Sequence, residues 1–376
     1  MNTYSAPLYV DLDVTLACNM KCRHCNVAAL KPLDNEFSLQ EIQDLIDEMF
    51  NIGVYNLSIT GGEPLMRKDW KDILLHAHKY PAWLLVLNTN GTLWSEADVK
   101  FVAETLPHFL ISVSIDGHTP ETYSILRRTA SGGPAPKLFK KVIETVKLLK
   151  EYGATVTLNY TVTTENIEYF FDTAQLASDL GVTILALKFF PYGRGKTNLG
   201  NLELTYERWS DFLVTLTERK EDSSVGNTSI SVPCPWEVYL PLTKRGYSVD
   251  DVERIWKYAS PLMNEHYREM RDLGCNAGIT TCAISPDGSV YPCGTVSAKI
   301  PEVYCGNVRE GGLLKVWETS PFLAKIRSLK LSQIGGHCQV CELSPVCGGG
   351  CRARAIVHGG HLTSCDPLCP HNQEGS

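Results

Sequence analysis

Three cysteines near the N-terminus, Cys18-x₃-Cys22-x₂-Cys25, follow directly on an alternating apolar run, Leu8-Tyr9-Val10-Asp11-Leu12-Asp13-Val14. A soft thiolate cluster this tight suits an iron–sulfur centre or zinc. Three thiolates leave one iron of a [4Fe–4S] cube without a protein ligand, and an open iron is where a substrate or cosubstrate coordinates. The alternatives are a zinc knuckle or redox thiols, although zinc prefers four closed ligands and commonly uses paired Cys-x₂-Cys spacing.

One strand later comes Gly61-Gly62-Glu63-Pro64. Two glycines let backbone approach a ligand closely. The Glu63 carboxylate can accept hydrogen bonds from an ammonium group. Taken alone, such a run is an ordinary turn. From Cys275 onward the chain holds ten of its fourteen cysteines, as Cys275-x₁₂-Gly288-x₄-Cys293, then Cys338-x₂-Cys341-x₅-Cys347-x₃-Cys351, then Cys365 and Cys369. Two complete tetrads would also allow one or two zinc sites.

Together these motifs resemble, over nearly the whole chain, the radical S-adenosylmethionine (radical SAM) enzymes that carry a SPASM extension. The resemblance implies that Cys18, Cys22 and Cys25 hold a [4Fe–4S] cluster whose open iron chelates SAM. It implies that Gly61, Gly62, Glu63 and Pro64 bind the SAM amino group. Ser114, with Arg127 or Arg128, would contact the SAM carboxylate. His24 occupies a position near adenine that is usually aromatic, where a packing role is expected. Two auxiliary [4Fe–4S] clusters are implied in the extension. Cys275, Cys282, Cys293 and Cys351 would hold the first; Cys338, Cys341, Cys347 and a late cysteine would hold the second. Asp366-Pro367-Leu368-Cys369 resembles the usual closing element, which favours Cys369 over Cys365. Because Cys351 belongs to a run that otherwise serves the other cluster, one tight loop would tie both together, leaving a small domain held by metal more than by a hydrophobic core. Cys234, Cys305 and one of Cys365 and Cys369 are left over. A free buried cysteine is usually inert, and Cys234, flanked by prolines, stands at a boundary.

The implied chemistry is reductive cleavage of SAM to methionine and a 5′-deoxyadenosyl radical, which takes a hydrogen atom from an unactivated C–H bond. The protein positions the reactants and excludes water while the cofactor supplies the difficult step. Auxiliary clusters would accept an electron from the substrate radical or relay electrons inward. SPASM relatives mostly modify peptides or proteins, so oxidation or cross-linking of a ribosomally made peptide is the leading expectation. Modification of a tetrapyrrole, haem precursor or other small molecule is the alternative, and a non-catalytic electron carrier is a third. One departure concerns the sulfatase-maturing branch. There an Asp base follows the cysteine of Tyr-Pro-Cys, whereas Tyr291-Pro292-Cys293 is followed here by Gly294, so no catalytic base is assigned. Only 17 residues precede Cys18, too few for a winged-helix leader-binding domain. A separate leader-binding protein, or a small substrate, is therefore expected, together with a reducing partner such as flavodoxin or ferredoxin.

These groups need a frame that brings them together. Strand-like runs at 8–14, 54–60, 83–89, 109–115, 154–162 and 182–190 alternate with helical patterns near 38–51, 68–79, 95–105, 136–152 and 166–179. Ser38 with Glu41 makes a capping box, and Gly153 and Gly181 stand where helices hand over to strands. Six such units imply a parallel sheet, open or curved. The radical SAM resemblance selects a partial (β/α)₆ TIM-like barrel, with its chemistry at the C-terminal strand ends, followed by a small cysteine-rich SPASM domain. The expected boundaries are 1–232 for the barrel, 233–273 for a helical bridge and 274–376 for the SPASM domain. A polar connection at 192–196 and a helix near 205–220 complete the barrel part.

Composition agrees with this class. The 376 residues are 44% hydrophobic, enough for a sizeable core. A net charge of −7 without a long basic run argues against a nucleic-acid partner. There is no signal-peptide pattern and no apolar run of the roughly 18 residues that a membrane span needs. Fourteen cysteines without an export signal read as metal ligands in a reducing, cytoplasmic and low-oxygen setting.

Overall fold

The computed structural model describes residues 4–80, 84–198, 202–296 and 300–372. Its frame is a ten-stranded sheet in the order β10-β9-β8-β1-β2-β3-β4-β5-β6-β7. The first six strands are Tyr9–Asp13 (β1), Asn56–Thr60 (β2), Leu84–Thr89 (β3), Phe109–Ser114 (β4), Thr155–Val162 (β5) and Thr183–Lys188 (β6). They pair in parallel, each with the next. The run expected at 83–89 matches β3 apart from residue 83, which lies outside the described residues. Helices Leu39–Ile52 (α1), Trp70–His78 (α2), Glu96–Thr105 (α3), Pro120–Leu126 (α4), Pro136–Glu151 (α5) and Phe170–Asp179 (α6) lie between the strands. The Ser38–Glu41 capping box forms, and α1 ends on left-handed Gly53.

Period-two alternation decides which side chains meet the chemistry. On β1, Val10 and Leu12 are fully buried in the main core. Tyr9 and Asp11 point the other way and line a cavity.

Among the elements beyond the pattern read from sequence are α4 and the strands Thr228–Ser231 (β7), Thr281–Ile284 (β8), Ser289–Tyr291 (β9) and Gly306–Asn307 (β10). β7 pairs in parallel with β6, and β8 pairs in parallel with β1. β9 and β10 then continue the sheet antiparallel. The expected boundary at 273 therefore does not divide the sheet. Nor is the C-terminal part held chiefly by metal: Cys282, Ile284, Val290, Trp317, Leu323 and Ile326 share one core with β1–β6. Hydrophobic burial holds that part against the barrel, and only the stretch from Cys338 onward is poor in such contacts.

A buried charge network fastens this last stretch to the barrel. Lys188 at the end of β6 bonds Glu237 Oε1 at 2.6 Å. Arg354 bonds the same oxygen at 2.7 Å and Asp366 Oδ2 at 2.7 Å. Asp366 Oδ2 also accepts from the Trp236 indole and the Cys351 N–H. Burial alone would raise the Asp366 carboxyl, but the Arg354 charge and these hydrogen bonds hold it well below the usual carboxylate range.

Two predictions follow from buried charge. Glu237→Gln removes the anion shared by Lys188 and Arg354 and leaves cations in a dry site. The expected loss is about 3–5 kcal/mol, read as a lowered anaerobic denaturation midpoint; an unchanged midpoint would mean the network is not closed as described. The second concerns Asp13 of β1. Burial, then the Asp11 charge, pushes its carboxyl up to about 8. The folded state therefore keeps a proton that the unfolded chain releases above the ordinary value near 3.8. Stability should fall as pH rises through 8, and Asp13→Asn should flatten that dependence in paired melts at pH 6 and 8.

Candidate functional site

The first cysteine loop is fixed from four sides before any metal enters. Glu36 Oε1 accepts from the Leu16 and Leu33 N–H groups at 2.7 and 3.0 Å, and its Oε2 accepts from the Thr15 hydroxyl at 2.7 Å. The Cys18 N–H reaches the Leu30 carbonyl at 3.2 Å. Lys21 and Arg23 N–H groups bond the Arg128 and Leu126 carbonyls at the end of α4, each at 3.0 Å. Arg194 closes the loop from behind: its side chain donates to the Cys22 and Ala29 carbonyls at 3.0 and 2.9 Å, and its N–H to the Cys25 carbonyl at 2.9 Å. Gly193 is required there, because a Cβ would lie 2.0 Å from the Asn26 carbonyl oxygen.

Cys18, Cys22 and Cys25 share the wall of a cavity of about 300 Å³ at the C-terminal ends of the strands. Burial raises the Cys18 thiol to about 12 and raises Cys25 too. Such thiols become thiolates when a metal displaces their protons. Arg127 Nη1 stands 3.9 Å from the Cys22 sulfur, a cation facing the charge such a centre would bear. Three soft donors and one cation on a single wall fit an iron–sulfur cube with one iron turned to the cavity.

Gly61 and Gly62 line the same cavity, but their first role is to pack on the cysteine loop. Cβ atoms there would lie 2.4 Å from the Thr15 oxygen and 2.2 Å from the Ala17 oxygen. Their absence lets the Gly62 and Glu63 N–H groups bond those same carbonyls at 2.7 and 2.9 Å. Glu63 is fully buried, and its carboxylate accepts from the Thr89 hydroxyl at 2.8 Å, the Asn90 N–H at 2.6 Å and the Leu65 N–H at 3.3 Å. Burial raises it to about 7 against these bonds. Pro64 opens the short helical turn Pro64–Met66 and is buried. Glu63 and Pro64 thus brace the turn, and the two glycines present it to the cavity.

Ser114, Arg127 and His24 are on the cavity wall as well. Of the two arginines considered, Arg127 faces the cavity, while Arg128 donates to the Ile125 carbonyl. Asp116 positions this side of the site. It is buried, accepts from Arg127 Nε at 2.5 Å and from the Thr161 N–H at 2.8 Å, and lies 3.5 Å from His24 Nε2. Burial lowers His24 to about 4, so its ring is neutral. Asp116 and Arg194 carry no assignment in the sequence reading. The Asp-Gly after β4 was a visible signal for the first; nothing in sequence tied Arg194 to a loop some 170 residues away.

The C-terminal cysteines fall into groups. Cys338, Cys341, Cys347 and Cys369 line one small cavity together with Trp236, His337 and His371. Cys365 is apart from that lining, with its thiol 2.6 Å from the Gly335 carbonyl. Cys275 is brought to Cys293 by the Gly278 N–H on the Pro292 carbonyl at 2.8 Å. It is brought to the Cys351 loop by the Gly274 N–H on the Gly348 carbonyl at 3.0 Å. Cys293 and Cys351 pack in one apolar cluster. Cys282 does not join them. It pairs with Val10 across β8 and β1 and is buried in the main core. Cys234 is also buried, 3.0 Å from Arg354 and 3.4 Å from Asp366.

A second cavity of about 360 Å³ runs from the first toward Cys293. The two share Asn26, Leu187, Lys188 and Phe190. Gly294 explains how its far wall is built: a Cβ there would fall 2.1 Å from Asp11 Oδ2. The position after Cys293 therefore carries no side chain because a carboxylate from β1 occupies the space. Tyr9 donates to Asp11 Oδ1 at 2.7 Å.

Comparison with known proteins agrees with this geometry. Residues 12–177 match the radical SAM superfamily and residues 275–342 the SPASM iron–sulfur cluster-binding domain. The chain is 29% identical over 369 residues to the AdoMet-dependent heme synthase of Oleidesulfovibrio alaskensis, covering 96% of this chain and 86% of that one. It is 27% identical over 366 residues to the mycofactocin maturase MftC of Mycobacterium tuberculosis, covering 97% and 83%. The crystal structure of Streptococcus suis SuiB bound to precursor peptide SuiA superposes with a TM-score of 0.74 at 17% identity, over 98% of this chain and 77% of that one. No helix among the described residues is long and apolar enough to cross a membrane. With cysteines and glycines converging at the strand ends and both domain signatures present, the chain is a radical SAM enzyme of the SPASM-containing subfamily, built to bind [4Fe–4S] clusters and SAM.

Proposed function

We propose that this enzyme oxidatively modifies or cross-links a ribosomally made peptide. The observation that carries the reading is the chemistry of the second cavity. Its walls include Tyr9, Asp11, Ser231, Thr281 and Thr295. Among the described residues lining it, Lys188 is the only cation, and it is bound to Glu237. A porphyrin with several propionates needs cations to meet them; a peptide needs hydrogen-bonding groups beside an apolar wall, which Leu187, Phe190 and Val232 supply. The tetrapyrrole reading is kept as the alternative because of the 29% identity to a heme synthase.

In this reading Cys18, Cys22 and Cys25 hold the SAM-side cluster, with Gly61, Gly62, Ser114, Arg127 and His24 around SAM and Glu63 bracing the turn. Cys275, Cys293 and Cys351 serve the first auxiliary centre, and Cys338, Cys341, Cys347 and Cys369 the second. Bound there, these groups supply the electron for SAM cleavage and a route for an electron leaving the substrate. The residues' own work is to seat SAM, hold the substrate in the adjoining cavity and keep water from the reacting atoms. A cytoplasmic setting, a flavodoxin- or ferredoxin-type reductant and a separate leader-binding protein complete the proposal. The barrel at 1–232, bridge at 233–273 and cysteine-rich part at 274–376 remain its proposed functional divisions.

Two outcomes are expected. Glu63→Gln loses one charged acceptor from the turn, worth about 1.5–3 kcal/mol. SAM affinity should fall roughly tenfold or more with iron content intact; unchanged affinity in an equilibrium titration would remove the turn from SAM binding. For the substrate, the reconstituted, reduced protein is incubated with SAM and either a short precursor peptide encoded beside its gene or a propionate-bearing iron porphyrin. Mass spectrometry should find modified peptide alone, and modified porphyrin would reverse the assignment. The Cys338→Ala/Cys341→Ala variant, checked for folding, should still release 5′-deoxyadenosine but form no product.

A further inference from the structure

The fourth ligand expected for the first auxiliary centre, Cys282, is on the wrong side of the sheet. Tyr9, Val10 and Asp11 of β1 pair with Thr281, Cys282 and Ala283 of β8. Tyr9, Asp11 and Thr281 face the cavity that Cys293 also lines. One residue along each strand the direction reverses, so Val10 and Cys282 face the opposite layer, and both are fully buried there. Rotating Cys282 to the cavity side would take a one-residue register slip, which would turn every β8 side chain to the other face.

The electrostatic neighbours set Cys282 apart from Cys275 and Cys351, with Cys305 a neighbour of both Cys282 and Cys293. Cys275 acts on Cys293 and on Cys351. Cys282 instead meets Cys305, Asp11 and Arg327. Cys305 has Cys293 among its neighbours but is likewise buried in the main core. Its thiol donates to the Val303 carbonyl at 3.4 Å within the main core. Cys234 is held by Arg354 and Asp366.

We infer that the first auxiliary centre is held by three cysteines of this chain, Cys275, Cys293 and Cys351, and turns its fourth coordination position to the polar cavity. The ligand class is a Lewis-basic group of the substrate, such as a thiolate, carboxylate or amine, arriving through the cavity that adjoins the SAM site. Cys293, Gly294 and Thr295 form the wall it would meet. The glycine keeps a side chain off that wall, and Asp11 Oδ2 stands beside it. The second auxiliary set, by contrast, has four thiols on one cavity. The two centres then differ in kind: one closed, one able to take a ligand.

This inference rests on the cluster assignment proposed above, and the test separates the two. The Cys18→Ala/Cys22→Ala/Cys25→Ala protein is reconstituted anaerobically, so that its own open iron does not interfere. It should hold about eight irons as two [4Fe–4S] clusters; failure to hold any would sink the cluster assignment itself. In that background Cys282→Ala and Cys305→Ala should each keep the iron count and the reduced electron paramagnetic resonance spectrum, whereas Cys293→Ala should lose about four irons. Carbon-13 cyanide, with Cys282 left in place, should shift the spectrum of one cluster and show carbon hyperfine coupling. Loss of a cluster in folded Cys282→Ala would overturn the inference, as would no cyanide effect. Cyanide binding seen only after Asp11→Asn would make Asp11 the fourth ligand and overturn the open position.

Discussion

Arg354 and Glu237 have no exposed surface, yet they meet as an ion pair. That is tolerable because Lys188 and Asp366 complete the set with compensating signs. Removing ions from water is expensive, and their attraction offsets the cost only when geometry and hydrogen bonding are complete. The demand is therefore positional. Lys188 ends the last strand of the six-unit barrel, Glu237 begins the bridging helix, and Arg354 and Asp366 flank the late cysteines. These three regions can bury the charges only in one relative arrangement. The same Asp366 oxygen that receives Arg354 receives the Cys351 N–H. The loop that carries Cys347 and Cys351 is thus held by an interaction that needs no metal.

That arrangement also joins the two cavities. Lys188 lines both, and Phe190, two residues beyond β6, does the same. A group seated in the first cavity has only to lie across this shared wall to reach Cys293. Proximity of this kind is what an oxidative radical reaction requires of its protein, since the cofactors supply the redox chemistry and the fold supplies distance and dryness. Asp11 of β1 belongs to the wall of the second cavity. Tyr9 and Asp11 alternate with Val10 and Leu12, so a single short strand carries core packing on one face and the polar lining on the other.

Much of the site was legible because its chemistry is local. Cys18, Cys22 and Cys25 are seven residues apart from first to last, and Gly61 to Pro64 follow one strand later. Spacing that short leaves the chain little freedom to carry the groups apart. The six barrel strands were legible for a related reason: a strand with one face in the core alternates buried and less buried residues, as β1 and β6 do. β8 to β10 were not. They are two to four residues long, and the set gains its place in the sheet from β1, some 270 residues earlier, through β8, on which β9 and β10 then build. Arg194 escaped for the same reason, since it acts on a loop it meets only after folding.

The sequence by itself determined the class of this enzyme: donor types, their spacing and the order of the units are covalent facts that survive any rearrangement of the chain. It also offered Glu63 as a ligand group and Cys282 as a metal ligand, because residue type and position in a motif favour both. Only the tertiary structure decided what surrounds those two. Three donors from Leu65, Thr89 and Asn90 make Glu63 a brace for its turn, and pairing with β1 turns Cys282 into the core. Side-chain direction on a strand depends on register, and register is set by the partner strand and not by the residue itself.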